Sequence, residues 1–548
     1  MRKLIAIASV LALAGCASLP TGLDIETGPE LTSPDQQEIA FFSPSSPLPG
    51  ATPSEIVNGF LAAGTGPQND YAIAREFLTD TFATRWRPGE QTLIRSGAYD
   101  LISQGDSLQV VSLSVGAKVD EFGRYESTVP TVNNLRFRLA KENGEWRITS
   151  APNLTVVTLP IFAVVFSQFP IYFLDSTSTQ LVPDLRWFPK RASIATQLAG
   201  ALLNGPARWL SDSVVSAIPA GTQLQVNAVL IQEGVAVVDL DANAIAADNR
   251  QRGLLLAQLK TTLLQLPGVL DVVVSIAGAE QDIGVADIAA LPPATSFALT
   301  DDGIVRLSGS EAGLLVGSDT VVQELNPSHI ASGQSGETLA IATSTGVYKL
   351  TPNEDGYDAV AISEVGGVVD LQVDIFGNIW IFRDNVDFSL EIVDQTGTTQ
   401  QISFPVPRRI ISAAVSPEGG RLALLASDGV EKISVFGVIR NQDGLPLRLA
   451  SSFEIDVSSN RLVSVTWSQP SIIRVLEKTS TGGGAIVDYP VSGPKSSRTS
   501  PPVPGLVVET GFALIDGYLL SETRDVWVLS NNAWRRVQTG VQDLSTGR

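Results

Sequence analysis

The chain has 548 residues, with 37 lysines and arginines against 57 aspartates and glutamates, and a formal net charge of −20. So acidic a chain is repelled by phosphate backbones and anionic lipid heads, which argues against nucleic acid as a partner and against membrane residence through a basic patch. A hydrophobic content of 44% is ample for real cores, the length asks for about three domains, and a single cysteine leaves no disulfide framework.

Arg2 and Lys3 precede an apolar run, Leu4 to Ala14, broken only by Ser9 and too short to span a bilayer as a helix of about 20 residues. Small residues then lead into the only cysteine, in Leu13-Ala14-Gly15-Cys16. This stretch resembles the lipobox of bacterial lipoproteins. The resemblance implies that residues 1–15 are a lipoprotein signal peptide, cleaved before Cys16. Cys16 would become an S-diacylglycerol cysteine and, at its new amine, an N-acyl cysteine. Several acyl chains, at about 0.8 kcal/mol per buried methylene, anchor stably where one is marginal. Residues 16–50 are rich in Pro, Ser, Thr, Gly and acids, and read as a disordered tether holding the folded part off the bilayer.

The first folded unit is expected over 51–160. Thr52 can N-cap a helix with Pro53 at its first position and Glu55 completing a capping box. Ile56, Phe60 and Ala63 then share one face. A second helix is expected in "DYAIAREFLTDTF", with Tyr71, Ala74, Phe77 and Leu78 inward. After Gly97 the hydrophobic period changes to two, and Asn143-Gly144 signals a type I′ hairpin. Helices followed by an antiparallel sheet are similar to an NTF2-like α+β cone. The next stretch, "LTVVTLPIFAVVFSQFPIYFL", is broken by Pro160, Pro170 and Ser167-Gln168, and reads as two strands and a connection.

The second unit is expected over 168–280. A strand "PIYFLD" leads through "LVPDLRWFPK" to a helix with Ile194, Leu198, Ala201 and Leu202 on one face, stopped by Gly205-Pro206. A hairpin turning at Glu233-Gly234 follows. Then come a helix carrying Leu255, Leu259, Thr262 and Leu266, a stop at Pro267-Gly268, and the strand "VLDVVVSIAG". The order β-α-β-β-α-β places helices on one face of a sheet. "LLNGP", "AIPAGTQL" and "VAVVDL" resemble the GerMN domain of spore germination proteins.

The third unit, expected over 290–548, alternates turn clusters with β-rich runs. Asp302-Gly303 precedes "IVRL", Thr345-Gly346 precedes "VYKL", Phe376-Gly377-Asn378 precedes "IWIF", and "SPEGGRLALLA" begins at Ser416. A spacing of roughly 30–45 residues suits four-stranded propeller blades, of which about six fit. "SPEGGRLALL" resembles the turn between inner strands of TolB-like and WD40-like blades. "IWIF", with Trp380, is expected in an inner strand.

Chemistry-bearing patterns are sparse. The sole histidine, His329 in "NPSHIASG", would have to carry any Ser-His-Asp triad or histidine metal site, and reads as bracing a blade turn. Ser492 to Lys495 match S-x-x-K, but Gly493 and Pro494 disfavour the helix start that the motif needs. Asp239, Asp241 and Asn243 begin like an EF-hand, yet Ala244 replaces its glycine and Arg250 its bidentate glutamate. Asp301-Asp302, Glu354-Asp355 and Asp384 sit in turn-like contexts. No catalytic residue, cofactor or metal site is expected.

In order, lipobox, acidic tether, α+β domain, GerMN-like domain and all-β propeller resemble the LpqB family of actinobacterial lipoproteins along nearly the whole chain. The resemblance implies a non-enzymatic accessory protein, lipid-anchored at the outer face of the cell membrane. Its partner would be the extracytoplasmic domain of the sensor kinase MtrB, whose response regulator is MtrA, with envelope homeostasis and division as outputs. The residues themselves leave a second reading open: an envelope glycan-binding protein or glycan hydrolase using carboxylates in the propeller mouth.

Overall fold

In a computed structural model of the chain, the described residues run from 44 to 547, apart from 285, 334–335, 385–388, 404–408, 458–460, 481, 496, 511–516 and 531–532. Cys16 and the lipobox lie outside the described residues. Among the described residues, no helix is long and apolar enough to cross a membrane.

The helix Pro53–Ala63 starts as its sequence dictates. Glu55 N donates to Thr52 Oγ1 at 3.3 Å, and Thr52 N donates to Glu55 Oε2 at 2.8 Å. The expected second helix is instead two short ones, Ala72–Arg75 and Asp80–Ala83. Between them the backbone pairs with the sheet: Ile148 N donates to Phe77 O and Thr79 N to Ile148 O, each at 2.9 Å. Those bonds replace helical ones, yet Tyr71, Ala74, Phe77 and Leu78 all stay buried. The sheet runs in the order Glu145–Ser150, Tyr125–Glu142, Leu108–Asp120, Gln91–Ser103, Thr155–Thr158, with only the last pairing parallel. Asn143 (φ 53°) and Gly144 (φ 87°) make the tight turn. Helices on a bulged antiparallel sheet are the arrangement expected of an NTF2-like module.

The connection into the second module is a short helix, Leu159–Val165, with Pro160 in its first turn, where the missing N–H costs nothing. A larger difference follows. "LVPDLRWFP" is no connection but the strand Leu181–Pro189, paired along its length with Phe166–Asp175. It lacks alternation because almost every residue is buried. The second sheet holds Leu230–Gln232, Val235–Leu240, Asp271–Ile276 and Ala279–Glu280. Its central pair is parallel and adjacent, joined by the crossover helix Asn249–Leu263. This sheet is separate from the three-stranded sheet of Leu181–Pro189, Phe166–Asp175 and Val214–Val215, so the single split sheet expected from the β-α-β-β-α-β order is divided in two. Helices Ile194–Asn204 and Asn249–Leu263 bury Leu198, Leu202, Leu255 and Leu259 in the same core as Ala236, Val238, Val272 and Val274.

The third module contains, among the described residues, six four-stranded sheets. Their first strands, in blades II to VI, are His329–Ser332, Val368–Val373, Arg409–Val415, Arg461–Gln469 and Gly505–Glu509. Blade I takes its first strand from the C-terminal segment Val541–Gly547, which pairs antiparallel with Thr295–Thr300. These first strands contact one another in sequence around the ring, so the propeller closes and no blade edge is left open at the centre. The turn Ser416–Arg421 joins the first and second strands of blade IV, as "SPEGGR" suggested. Trp380 lies in the second strand of blade III and is fully buried.

From Pro44 onward the chain forms one compact unit. Trp187 packs with Ile94, Tyr125, Phe162 and Phe166, so the first two modules share a core. Both grip blades IV and V at the end bearing the turns between first and second and between third and fourth strands. Arg421 Nη1 donates to Pro183 O at 3.3 Å, Arg440 N to Ser176 Oγ at 3.0 Å, and Trp187 Nε1 to Ser492 O at 2.6 Å.

Candidate functional site at the propeller channel

The blades are stitched by one recurring bond near the axis. Ala413 N donates to Asp370 Oδ2 (2.8 Å), Val465 N to Ser412 Oγ (3.3 Å), Val508 N to Ser464 Oγ (3.0 Å), and Ile330 N to Asp543 Oδ2 (2.9 Å). In each case the donor is the residue after the equivalent position of the next blade. That relation puts Asp543, His329, Asp370, Ser412, Ser464 and Val507 in one layer around the channel, in blade order. The only histidine therefore sits between two aspartates. His329 opens the first strand of blade II and lines the channel; it does not brace a turn. Its Nδ1 lies 2.9 Å from Ser328 Oγ.

The channel is a cavity of about 130 Å³ touched by all six first strands. Glu509 also lines it, accepting from Thr466 Oγ1 at 3.1 Å. Burial pushes the Asp370 carboxyl up to about 6; hydrogen bonds from Gln372 and Ala413 oppose this, Asp543 adds to it, and His329 opposes it. Asp543 is also raised, chiefly by burial, against the pull of His329 and the N–H groups of Ile330 and Leu544. The layer thus combines acid–base groups with a structural duty, because both aspartates already accept a blade-joining N–H.

The other residues singled out in sequence are scattered. Ser492 belongs to a turn, where its hydroxyl donates to Tyr125 O at 2.9 Å, while Lys495 is exposed. Asp239 accepts from Gly278 N at 3.0 Å, and Asp241 caps the 3-10 turn Ala242–Ala246. Among the described residues, no cluster of three or more metal-ligating side chains occurs. Asp301 accepts from Gln542 Nε2. Glu354-Asp355 are at an exposed turn, and Asp384 pairs with Arg409 at 3.3 Å. Asp370, Asp543 and Glu509 were missed. For Asp370 and Asp543 the signal was present: a polar residue at one step of the first-strand runs, in "VVDL", "IISA", "LVSV" and "VQDL", a pattern that does not include Glu509.

These features define a class: a propeller closed by its C-terminal strand and carrying two α+β modules clamped to one end. Three family models match, in order, "Lipoprotein LpqB, N-terminal domain" over residues 46–163, "Sporulation and spore germination" over 170–282, and "Lipoprotein LpqB beta-propeller domain" over 302–545. Lipoprotein LpqB of Bifidobacterium longum is 27% identical, covering 80% of this chain and 78% of that protein. Lipoprotein LpqB of Cutibacterium acnes is 24% identical over 99% of this chain and 98% of its own length. That of Thermobifida fusca is 25% identical over 76% and 72%. The chain belongs to the LpqB lipoprotein family.

Proposed function

We propose that this chain is a non-catalytic regulatory lipoprotein, held at the outer face of the cell membrane by acyl chains on Cys16. In this reading it binds the extracytoplasmic domain of the sensor kinase MtrB and modulates the MtrA–MtrB two-component system, with effects on envelope homeostasis and division. The observation that carries the reading is the asymmetry of the propeller. One end is occupied by the protein's own modules through Pro183, Ser176 and Trp187, while the described residues lining the mouth at the other end, Arg409, Arg461 and Leu506 among them, include none from those modules. The identity of the partner comes from the family resemblance. A glycan hydrolase would draw on the carboxylates of the channel and mouth, of which Asp370 and Asp543 are engaged in the seams between blades, Glu509 accepts from Thr466 Oγ1 and Glu522 pairs with Lys478.

Anchoring serves the same end. Confinement to the membrane surface would raise the effective concentration of the propeller near a membrane-embedded partner, to the order of mM where the link is short. Crosslinking in cells, followed by recovery of the lipoprotein, should co-purify the sensor kinase. Cys16→Ser should abolish fatty-acid labelling and weaken both the crosslink and MtrA phosphorylation control. Labelling that persists in Cys16→Ser sinks the anchor; an intact anchored protein that never recovers the kinase sinks the partner.

A further inference from the structure

The end of the propeller away from the accessory modules opens into a cavity of about 700 Å³, formed where the first strands begin. Four of those strands carry a β-bulge at the same step: between Val368 and Asp370, Ile410 and Ser412, Leu462 and Ser464, and Gly505 and Val507. A bulge inserts one residue and re-aims its side chain. The inserted residues are Val369, Ile411, Val463 and Leu506, and all four line both this mouth and the channel beneath it. Repetition of the bulge thus builds an aliphatic collar.

Above the collar stand Arg409 and Arg461, which open the first strands of adjacent blades, and Lys478. Their acidic counterparts in the lining are Glu431 and Glu522. In the lining three bases face two acids, and Asp384 beside Arg409 adds a third acid, so the rim is balanced in a chain where acids outnumber bases 57 to 37. Two of the cations are held in solvent-exposed pairs, Lys478 with Glu522 at 2.7 Å and Arg409 with Asp384 at 3.3 Å. Exposed pairs of this kind are worth at most about 1 kcal/mol, so a better anion can replace them.

We propose that the mouth is a docking site for a partner polypeptide segment that carries acidic side chains beside an aliphatic one. The aliphatic side chain rests on the collar, and the carboxylates pair with Arg409 and Arg461, whose guanidinium forks suit carboxylate geometry. Asp370 and Asp543 beneath the collar repel an anion, so the segment lies across the mouth and does not thread the channel. The collar also favours polypeptide over glycan: the described lining is chiefly aliphatic and charged and holds no Phe, Tyr or Trp ring for a sugar to stack on. This inference rests on the reading of the chain as a partner-binding protein, though not on which protein the partner is.

The test is photo-crosslinking from the full-length lipoprotein in cells, with p-benzoylphenylalanine at Leu506. Control positions are Val360 on an outer strand and Val226 in the second module, both exposed. Each is made with and without Arg409→Glu/Arg461→Glu, and limited proteolysis verifies that the double variant is folded. The expected result is a protein adduct from Leu506, mapped by mass spectrometry to a segment with Asp or Glu beside an aliphatic residue. The charge reversal should cut its yield by at least about tenfold, as two attractive rim contacts become repulsive. If that segment belongs to the kinase, both readings stand; if it belongs to another polypeptide, the docking site stands and the kinase falls. Kinase adducts only from Val360 or Val226 leave the kinase and overturn the mouth. Absence of any Leu506 adduct, adducts to lipid or glycopolymer alone, or a yield indifferent to charge reversal also overturn the mouth.

Discussion

Replacing Asp374 by alanine should destabilise the propeller far more than any surface charge change. Asp374 is fully buried in the turn between the first two strands of blade III. It accepts from Phe376 N (3.0 Å), Asn378 N (2.9 Å), Trp380 Nε1 (2.9 Å) and Arg440 Nη1 (2.8 Å). The Arg440 side chain is 1% exposed and lies over the Phe376 ring at 4.5 Å. Asp374→Ala keeps the carbonyls of Gly419 and Gly444 around that guanidinium but removes its counter-charge. A buried ion pair broken on one side costs about 3–5 kcal/mol. The stranded Trp380 N–H adds about 1–3 kcal/mol, less than additively because both share one network. A domain has only about 5–15 kcal/mol in total. By contrast, Glu522→Ala removes a pair exposed on both sides and should cost at most about 1 kcal/mol. Thermal and urea unfolding followed by near-UV circular dichroism would rank the two. Adding Arg440→Leu to Asp374→Ala should restore more than half of the loss, since it deletes the orphan charge and leaves an apolar stem on Phe376. An Asp374→Ala cost below about 1 kcal/mol, or losses that simply add in the double variant, would refute the reasoning.

Further outcomes follow from the same geometry. The folded Asp370 carboxyl titrates near 6, above its ordinary 3.8, so the folded state holds a proton that the unfolded chain gives up in between. Its contribution to stability is therefore present at low pH and lost as pH rises through about 6. Asp370→Asn should flatten the stability profile between pH 4 and 7, and parallel profiles would disprove it. Trp380→Asp places an unpaired charge at a fully buried site and should leave the propeller open to limited proteolysis; a protease-resistant variant contradicts this. Under the proposed regulatory function, His329→Asn should keep the kinase response, whereas an enzyme dependent on its only histidine would lose roughly 10²-fold of its rate.

What could be read in advance was whatever local chemistry encodes. The capping box at Thr52, the αL turns at Asn143-Gly144 and Glu233-Gly234, and the Gly205 stop all occur where expected. The blade repeat was legible because turns recur at a fixed spacing. Three features were not. Leu181–Pro189 looked like a connection because Asp184 and Arg186 interrupt its apolar run. Only the fold shows that these two form a buried pair at 2.6 Å, with Arg186 also donating to Phe122 O and Gly205 O. The single second helix failed because Phe77–Thr79 finds better partners in the sheet than in itself. The channel layer depends on ring closure: Asp543 is brought beside His329 only because the C-terminal strand enters blade I. No window of sequence contains that juxtaposition.

The same closure bears on how the protein can act. Blades IV and V are gripped at one end through Arg421, Arg440 and Ser492, and begin at the other end with Arg409 and Arg461. The strands between are short and buried, with Ala414, Leu425, Val435, Val465, Trp467 and Val475 in one core. Trp467 adds a bond to Ala414 O across the seam at 2.9 Å, and Arg421 stacks over its ring at 4.4 Å. Such packing transmits position with little give. The first two modules are joined by a shared core around Trp187 and not by a linker. The aim of the mouth relative to the first folded residues is thus fixed by the chain itself, because an interface built on buried side chains resists the relative motion that linker-joined domains show by default. Changes at Trp187, Arg421, Arg440 or Ser492 should therefore alter the direction the mouth faces relative to the first two modules.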